Sequence, residues 1–381
     1  MFFFDLFLIK KPFDKGALIM AVLLCLLIGY AHFVIRRFFP DGDKYILLIS
    51  DILSVIGIAV LYRLNVTIAI KQLIWFSVGV AGFILIVVLL PDLKRFDKYR
   101  YVYLVCTIIL MSLGTIFGKE LYGARNWISI LGYKFQPSEF AKLFLVAYLA
   151  SALKKYENFK DLIEPAIVVM ISLGFMVFQR DLGSALIFFG ISITMLYIAT
   201  SKVKYILVCV LLFIVGSFIS YKLFGHVRLR FMIWKDPWKY AANESYQVVQ
   251  SLIAIASGGL FGSGLGLGYP KFVPVRESDF IFAAICEELG TLTGMAIMIL
   301  YFILFYRCTR ASIRAEDNFS RLIAIGYSSM IASQVLVIVG GVMNIIPLTG
   351  ITLPLVSYGG SSMIITFFSL GILQKISEEG N

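Results

Sequence analysis

The sequence has little charge and few of the residues that build metal or disulfide centres. Only 15% of its 381 residues are charged and 23 are acidic, whereas 60% are hydrophobic. A soluble chain of this length needs more polar surface than this composition supplies, so a soluble globular fold is excluded. The two histidines are far apart, which argues against a His-rich zinc or di-iron site. The five cysteines show neither metal-ligand nor disulfide spacing, and we interpret them as core residues.

Two further absences narrow the class of membrane protein. No cleavable signal peptide is expected, because the basic segment KKPFDK follows the short apolar start MFFFDLFLI rather than preceding it. Ten-residue segments of alternating hydrophobicity are also absent, which excludes a transmembrane β-barrel. The sequence contains instead continuous apolar runs of about 17 to 23 residues, which match the hydrocarbon core of a bilayer. It therefore predicts an all-α, polytopic helical membrane protein.

Eleven stretches are predicted to span the membrane. They lie near 17–35, 45–63, 69–90, 100–118, 138–153, 163–179, 184–200, 204–223, 284–306, 321–343 and 354–375. Lys- and Arg-rich connections, among them DLKRFDKYR and RCTRASIR, indicate cytoplasmic loops and a cytoplasmic C-terminus. The segments 119–137, 180–183, 224–283 and 344–353 are then outside, and 224–283 is a large extracellular loop. The net charge of +11 indicates contact with anionic lipids, not with nucleic acid.

Ionisable residues at membrane depth are costly, so each is a candidate for a functional role. In FQPSEFAK, Pro137 begins a helix, and Glu139 and Lys142 share one face of it, where a structural salt bridge and a functional pair are both open. In FQRDLGS, Arg180 and Asp181 lie at an outer helix end. Asp181 is a candidate cavity residue or the cap of the next helix.

Two later segments add further candidates. Asp279 and Glu287 share an approximate helical face in SDFIFAAICEELG, and capping by Asp279 alone does not explain the density of carboxylates there. We therefore favour a site role for Asp279. In NIIPLTGITLPLVSYGGSS, the hydroxyls of Ser357 and Ser361 are candidates to line a cavity, whereas the paired glycines are better explained by close packing.

The large outer loop is basic and rich in glycine. GGLFGSGLGLG follows no predicted strand and lacks a terminal Gly-Lys-Ser/Thr, so it is weak evidence for a phosphate-binding loop. The cations are more informative, because they suit a pyrophosphate or a sugar-phosphate lipid, although contact with anionic headgroups is the alternative. These cations are Arg228, Arg230, Lys235, Lys239, Lys271 and Arg276.

Five motifs together resemble the SEDS family (shape, elongation, division and sporulation), which includes RodA, FtsW and SpoVE. In chain order they are GARNWISILGYKFQPSEFAKLF, QRDLGSALIF, YQVVQSLIAIASGGLFGSGLG, SDFIFAAICEELG and NIIPLTGITLPLVSYGGSS. The last motif resembles RodA members, whereas GLGLGYPKFVPVRESD resembles FtsW members, and we favour the RodA branch. Three positions depart from the family pattern. Arg180 replaces a usual proline, Asn126 replaces a usual basic residue, and Val275 follows Pro274 where many members have glutamate.

The resemblance implies a peptidoglycan glycosyltransferase with about ten transmembrane helices that polymerises lipid II on the outer face of the cytoplasmic membrane. It also implies a class B penicillin-binding protein as the partner that supplies the transpeptidase. Residues 1–44 then form an N-terminal extension with one extra membrane helix, and 45–381 form the SEDS domain. The essential aspartate of the family falls on Asp279, and its cavity residues fall on Glu139, Lys142 and Asp181.

The hypothesis is an inverting displacement, in which a lipid II 4-hydroxyl attacks the anomeric carbon of the growing chain and releases undecaprenyl pyrophosphate. Asp279 would accept the hydroxyl proton, or would hold a divalent cation, Mg²⁺ or Mn²⁺, beside the leaving group. Arg228, Arg230 or Lys271 could share the electrostatic task, and no organic cofactor is expected. A lipid II flippase that uses the same cavity is the main alternative. A membrane scaffold for the partner synthase is a third.

Overall fold

The computed structural model describes residues 2–9, 13–121, 124–130 and 133–380, so Gly123, the first residue of one quoted motif, lies outside the described residues. The described residues form the helices α1 (Phe2–Ile9), α2 (Lys15–Phe38), α3 (Lys44–Leu64), α4 (Val66–Leu89), α5 (Arg100–Phe117), α6 (Pro137–Leu153), α7 (Ile163–Phe178), α8 (Leu182–Thr200), α9 (Val203–Leu223), α10 (Gly225–Lys235), α11 (Tyr246–Gly258), α12 (Ile281–Arg314), α13 (Asn318–Val342) and α14 (Gly360–Glu379). Each of the eleven predicted spans overlaps a helix, although the last, 354–375, starts six residues before α14. The helical membrane fold is thereby confirmed.

Nine stretches in the described part of the chain are long and apolar enough to cross a membrane. The other two predicted spans are α6, which has only 17 residues, and α14, and both lie in the interior of the bundle. Most residues of α6 are buried, and α14 packs along α4 and also contacts α12 and α13. A helix enclosed by other helices need not be apolar all round, because its polar groups can find partners within the protein. By contrast α9 buries no residue and lies at the periphery.

The outer segment 119–137 contains a small antiparallel sheet where the sequence predicted only a loop. Its strands are β1 (Lys119–Leu121), β2 (Ala124–Ile130) and β3 (Tyr133–Phe135), with β2 in the middle. The register pairs Lys119 with Trp127 and Ile128 with Phe135. β1 and β3 have only three residues each, and strands of that length give a weak sequence signal. The sheet lies against the end of α7, because the Arg125 N–H donates to the Gln179 carbonyl over 2.8 Å.

The two ends of the bundle are chemically distinct. At one end Asp43, just before α3, pairs with Arg307 of α12 at 2.8 Å, and its N–H donates to the Ser377 hydroxyl of α14 at 2.9 Å. The exposed pair of Lys94 and Glu316 lies among the predicted cytoplasmic connections. The C-terminal helix therefore ends beside the basic loops, and the loop that contains Asp279 connects helices at the opposite end.

The first two helices pack on the outside of α3. The Tyr62 hydroxyl donates to Asp14 over 3.0 Å, and His32 lies 3.1 Å from the buried carboxylate of Asp51. A buried carboxylate in a membrane helix needs a partner, and His32 supplies it from α2. The division into an extension at 1–44 and a domain at 45–381 stays a prediction.

Candidate active site

Asp279 lies in the turn that precedes α12, and the backbone around it is fixed by a serine pair. Its Oδ1 accepts a hydrogen bond from the Ser278 hydroxyl at 2.8 Å. The Ser357 hydroxyl donates to the Ser278 carbonyl at 2.5 Å, so the predicted outer loop 344–353 and the residues after it support this turn. Gly350, with φ of +71°, passes so close that a Cβ on it would lie 3.5 Å from Asp279 Oδ2.

The environment of Asp279 raises its affinity for a proton. The side chain is partly accessible but is surrounded by protein, and this burial raises its pKa to about 6. The Ser278 hydrogen bond and the positive charge of Arg230 act in the opposite direction and moderate the rise. A carboxylate with a pKa near 6 is mostly ionised at neutral pH, yet it is a stronger base than an exposed aspartate.

Arg230 of α10 is a cation that interacts electrostatically with both Asp181 and Asp279. Its guanidinium donates to the carbonyls of Leu348 and Thr349 at 3.0 and 3.1 Å, which anchors α10 to the loop before α14. Burial lowers the pKa of Arg230, whereas the charges of Asp181 and Asp279 act to raise it. Arg230 therefore connects the carboxylate at the end of α8 electrostatically with the one before α12.

Asp181 both caps a helix and belongs to a buried polar cluster. Its side chain accepts from the N–H and the hydroxyl of Ser184 at 2.9 and 2.6 Å, as an α8 N-cap should. It also accepts from the amides of Asn126 at 2.6 Å and Gln136 at 3.3 Å, and only 3% of the residue is exposed. Asp181 therefore caps α8, and its side chain is buried against β2 and the residue before α6.

Glu139 and Lys142 form a buried ion pair in α6. Lys142 Nζ donates to Glu139 at 2.8 Å and to the Gln334 side chain of α13 at 3.0 Å. Gln334 in turn donates to the Thr352 carbonyl at 3.0 Å and to the Ser362 hydroxyl at 3.3 Å. The pair is thus linked through α13 to the loop that supports Asp279. Gln334 is not among the residues predicted for the site, although a polar side chain within the apolar run 321–343 indicates a buried partner.

Glu287 does not accompany Asp279, although the helical spacing predicted a common face. Its Oε1 accepts from the Tyr269 N–H at 2.8 Å, and its Oε2 is buried without a hydrogen-bond partner among the described residues. The neighbouring Glu288 pairs with Arg63 at 3.0 Å. These glutamates hold the outer loop against α12.

The glycine-rich segment has a structural role at a break in α12. Gly290 has φ of +84°, and a Cβ on it would lie 2.2 Å from the Leu260 carbonyl, so only glycine fits there. A helix break leaves backbone groups without partners on both sides. The glycine-rich segment supplies the missing partners through four backbone hydrogen bonds. These bonds are Ser263 N to Glu287 O (2.9 Å), Gly264 N to Glu288 O (3.0 Å), Thr291 N to Gly259 O (2.9 Å) and Leu292 N to Leu260 O (3.2 Å).

Of the other predicted residues, Arg228 and Lys271 are separate from this cluster. Ser357 and Ser361 lie in the segment that supports it. Arg228 is exposed and donates to the Lys222 carbonyl, towards α9. Lys271 is exposed and lies over the Tyr269 and Phe272 rings. Ser357 is buried, and Ser361 is half-buried in the first turn of α14.

An apolar cavity of about 1160 Å³ adjoins Arg230. Its walls come mainly from α7, α8 and α9, and it extends from Phe159, on the side of the basic loops, to Arg230 and Leu348 at the opposite end. Because α9 lies at the periphery, this cavity is a lateral space within the membrane region. A cavity with these walls suits a long hydrocarbon chain, with the charged end of the ligand beside Arg230.

These features define a polytopic membrane protein in which an arginine lines an apolar cavity among the helices and a carboxylate lies within the electrostatic reach of that arginine. The family described as "Cell cycle protein", with FtsW, RodA and SpoVE as its members, matches residues 44–381, and the chain belongs to this family. The resemblance drawn from the motifs is thereby confirmed.

Named relatives and solved structures support the same assignment. The chain is 36% identical over 380 residues to peptidoglycan glycosyltransferase RodA of Mycobacterium tuberculosis, covering 92% of this chain and 81% of that protein. It is 32% identical over 356 residues to stage V sporulation protein E of Bacillus subtilis, covering 88% and 96%. A structure described as "Structural coordination of polymerization and crosslinking by a peptidoglycan synthase complex" has a TM-score of 0.77 at 25% identity, covering 89% and 98%. The crystal structure of Thermus thermophilus rod shape determining protein RodA has a TM-score of 0.68 at 25% identity, covering 89% and 97%.

Proposed function

We propose that the chain is a peptidoglycan glycosyltransferase that polymerises lipid II at the outer face of the cytoplasmic membrane. The names of its relatives support the activity. The observation that carries the proposal is the position of Asp279, a carboxylate of raised pKa that interacts electrostatically with Arg230, the arginine that lines the end of the apolar cavity. The basic loops and the C-terminus lie at the opposite end of the bundle, which supports a cytoplasmic C-terminus.

In this mechanism Asp279 is the general base. The 4-hydroxyl oxygen of a lipid II sugar forms the new bond to the anomeric carbon of the growing chain, while the bond from that carbon to the pyrophosphate breaks. The hydroxyl proton passes to the Asp279 carboxylate, and the anomeric centre is inverted. General base catalysis contributes about 10²- to 10⁴-fold. Arg230 stabilises the negative charge that develops on the departing pyrophosphate.

A divalent cation remains a proposal. In the described part of the chain, no three His, Cys, Asp or Glu side chains converge. Mg²⁺ is often held by one or two carboxylates together with substrate phosphates, and Asp279 with the substrate pyrophosphate would provide that set. The cation would supply charge neutralisation at the leaving group.

The expected binding partners are the lipid substrate, anionic membrane lipids and a second protein. The lipid chain of the substrate would occupy the cavity between α7, α8 and α9, and the basic loops would contact anionic lipids. We also propose a class B penicillin-binding protein as the partner, supported by the likeness to a structure described as a peptidoglycan synthase complex.

Purified protein in liposomes with labelled lipid II tests the activity. We expect glycan strands from the wild type and a loss of at least about 10²-fold for Asp279→Asn, which keeps the shape but removes the base. The matched control is Asp236→Asn, an exposed aspartate of the same outer loop that caps the Lys239 N–H, and it should polymerise normally. Full activity of Asp279→Asn would refute the assigned base. Transfer of lipid II across the bilayer without polymer would favour the flippase. Lipid II that is neither polymerised nor transferred would favour the scaffold.

A further inference from the structure

A second, polar pocket of about 430 Å³ lies at the outer end of the bundle, between the end of α7 and the start of α10. Its walls include Phe178 and Arg180 on one side and Phe224 and His226 on the other. Val177 lines both this pocket and the large apolar cavity, so the two spaces are adjacent. The predicted outer boundary of the membrane falls at these helix ends.

Arg180 places a guanidinium at this pocket through an unusual backbone conformation. Its φ is +60°, in the left-handed region that non-glycine residues seldom adopt, and the turn closes through its N–H to the Val177 carbonyl at 3.1 Å. Proline fixes φ near −65°, so the residue that the SEDS pattern usually has here could not form this turn. The substitution therefore changes both the local backbone and the charge at the pocket wall.

His226 contributes a buried ring nitrogen to this pocket. Its Nε2 is buried and finds no hydrogen-bond partner among the described residues. Burial lowers the pKa of His226, and the positive charges of Arg180 and Arg230 lower it further. His226 and Arg230 are four residues apart on α10 and share a face of that helix. Arg180, His226 and Arg230 thus follow one another from the pocket towards Asp279.

We propose that the pocket formed by Arg180 and His226 is a docking site for the diphosphate head of a prenyl lipid, whose hydrocarbon chain enters the adjacent apolar cavity. The site rests on the proposed function and adds a position for the lipid carrier beside the reacting centre. The positive charges of two guanidinium groups act on the imidazole, and two cations suit a head with two phosphates better than the single phosphodiester of a phospholipid. The lipid would reach Asp279 by moving its phosphates from Arg180 towards Arg230.

The small number of histidines makes the test direct. The chain contains two, so protein with isotope-labelled histidine gives two sets of ring signals, and His32→Gln assigns them. The probes are geranylgeranyl diphosphate, inorganic diphosphate and phosphatidylglycerol, added to the full chain in detergent. We expect geranylgeranyl diphosphate to shift the His226 signals at a concentration at least about tenfold lower than either other probe requires, equivalent to about 1.4 kcal/mol.

Matched variants separate the site from general attraction of anions. Arg180→Gln should weaken geranylgeranyl diphosphate binding about tenfold or more, because it removes a charge-assisted contact. Lys222→Gln removes the same charge at the end of α9 without lining the pocket, and it should bind as the wild type does. Equal binding by Arg180→Gln and the wild type would overturn the proposal, as would equal shifts by phosphatidylglycerol.

The same experiment distinguishes this site from the activity. Asp279→Asn should lose polymerisation but keep the His226 shift. A wild-type protein that shifts on binding yet makes no glycan would contradict the proposed function alone. A wild type that makes glycan without any His226 shift would contradict the docking site alone.

Discussion

Replacing Lys142 with methionine would leave the Glu139 carboxylate in the interior without the ammonium group that contacts it. The two groups are 2.8 Å apart, and their side chains are only 1% and 6% exposed. Removing one partner of a buried ion pair costs about 3–5 kcal/mol, because the remaining charge is left unpaired. We therefore expect Lys142→Met to lower the free energy of unfolding by about that amount.

A double-mutant cycle then separates stability from activity. Glu139→Gln with Lys142→Met removes both charges, so most of the stability should return. Polymerisation should nevertheless stay at least about tenfold lower, because Gln334 loses its partner and no longer holds the Thr352 carbonyl in place, and small displacements near a reacting group are costly.

The assay is unfolding of the purified protein in mixed micelles with increasing sodium dodecyl sulfate, followed by tryptophan fluorescence. The control is Lys94→Met, which breaks an exposed pair with Glu316 and should change stability little. Loss of less than about 1 kcal/mol in Lys142→Met would refute the reasoning from burial. Full polymerisation by the double variant would show that the pair is only structural.

Four further outcomes are expected. The rate of lipid II polymerisation should fall as the pH drops through about 6, since protonated Asp279 cannot accept a proton; an acid limb near pH 4 would contradict this. Arg230→Gln should slow the reaction about 10²-fold and move that limb to higher pH, because loss of the positive charge raises the pKa of Asp279 further; an unmoved limb would exclude the coupling. Gly290→Ala should reduce the yield of folded protein, measured by size-exclusion chromatography, because the added Cβ would collide with the Leu260 backbone. A normal yield would show that glycine is not required at this break in α12. Deletion of residues 1–38 removes His32 and leaves the buried Asp51 carboxylate without this partner, so the shortened protein should be thermally more stable with Asp51→Leu than without it. Equal thermal stability of the two shortened proteins would show that the pair of His32 and Asp51 is unimportant.

The sequence predicted the helices well because each membrane span leaves a continuous apolar signal. It predicted the polar elements less well, since their partners come from distant parts of the chain. Asn126 bonds to Asp181 across 55 positions, and Lys142 bonds to Gln334 across 192. The sheet that holds Asn126 consists of short strands, whose local pattern does not differ from that of a loop.

The directions of some charged side chains also could not be predicted from the sequence. Arg228 and Arg230 are neighbours in the same basic loop, but only Arg230 turns towards the carbonyls before α14, because α10 forms and directs the two residues to different faces. Asp279 lies in the turn before α12, and Glu287 lies in the first part of that helix, where it accepts a hydrogen bond from the Tyr269 N–H of the outer loop instead. In both cases the decisive contact is tertiary.

The contact that Arg230 makes also bears on how Asp279 can act as a base. In the described part of the chain, its guanidinium bonds to the Leu348 and Thr349 carbonyls rather than to the Asp279 carboxylate. A direct ion pair would hold the carboxylate pKa down and occupy the lone pairs that must accept the proton. Arg230 instead acts on Asp279 only through its field, which leaves burial as the larger influence on its pKa. The same arrangement leaves a cation near the cavity mouth when negative charge develops on a departing pyrophosphate.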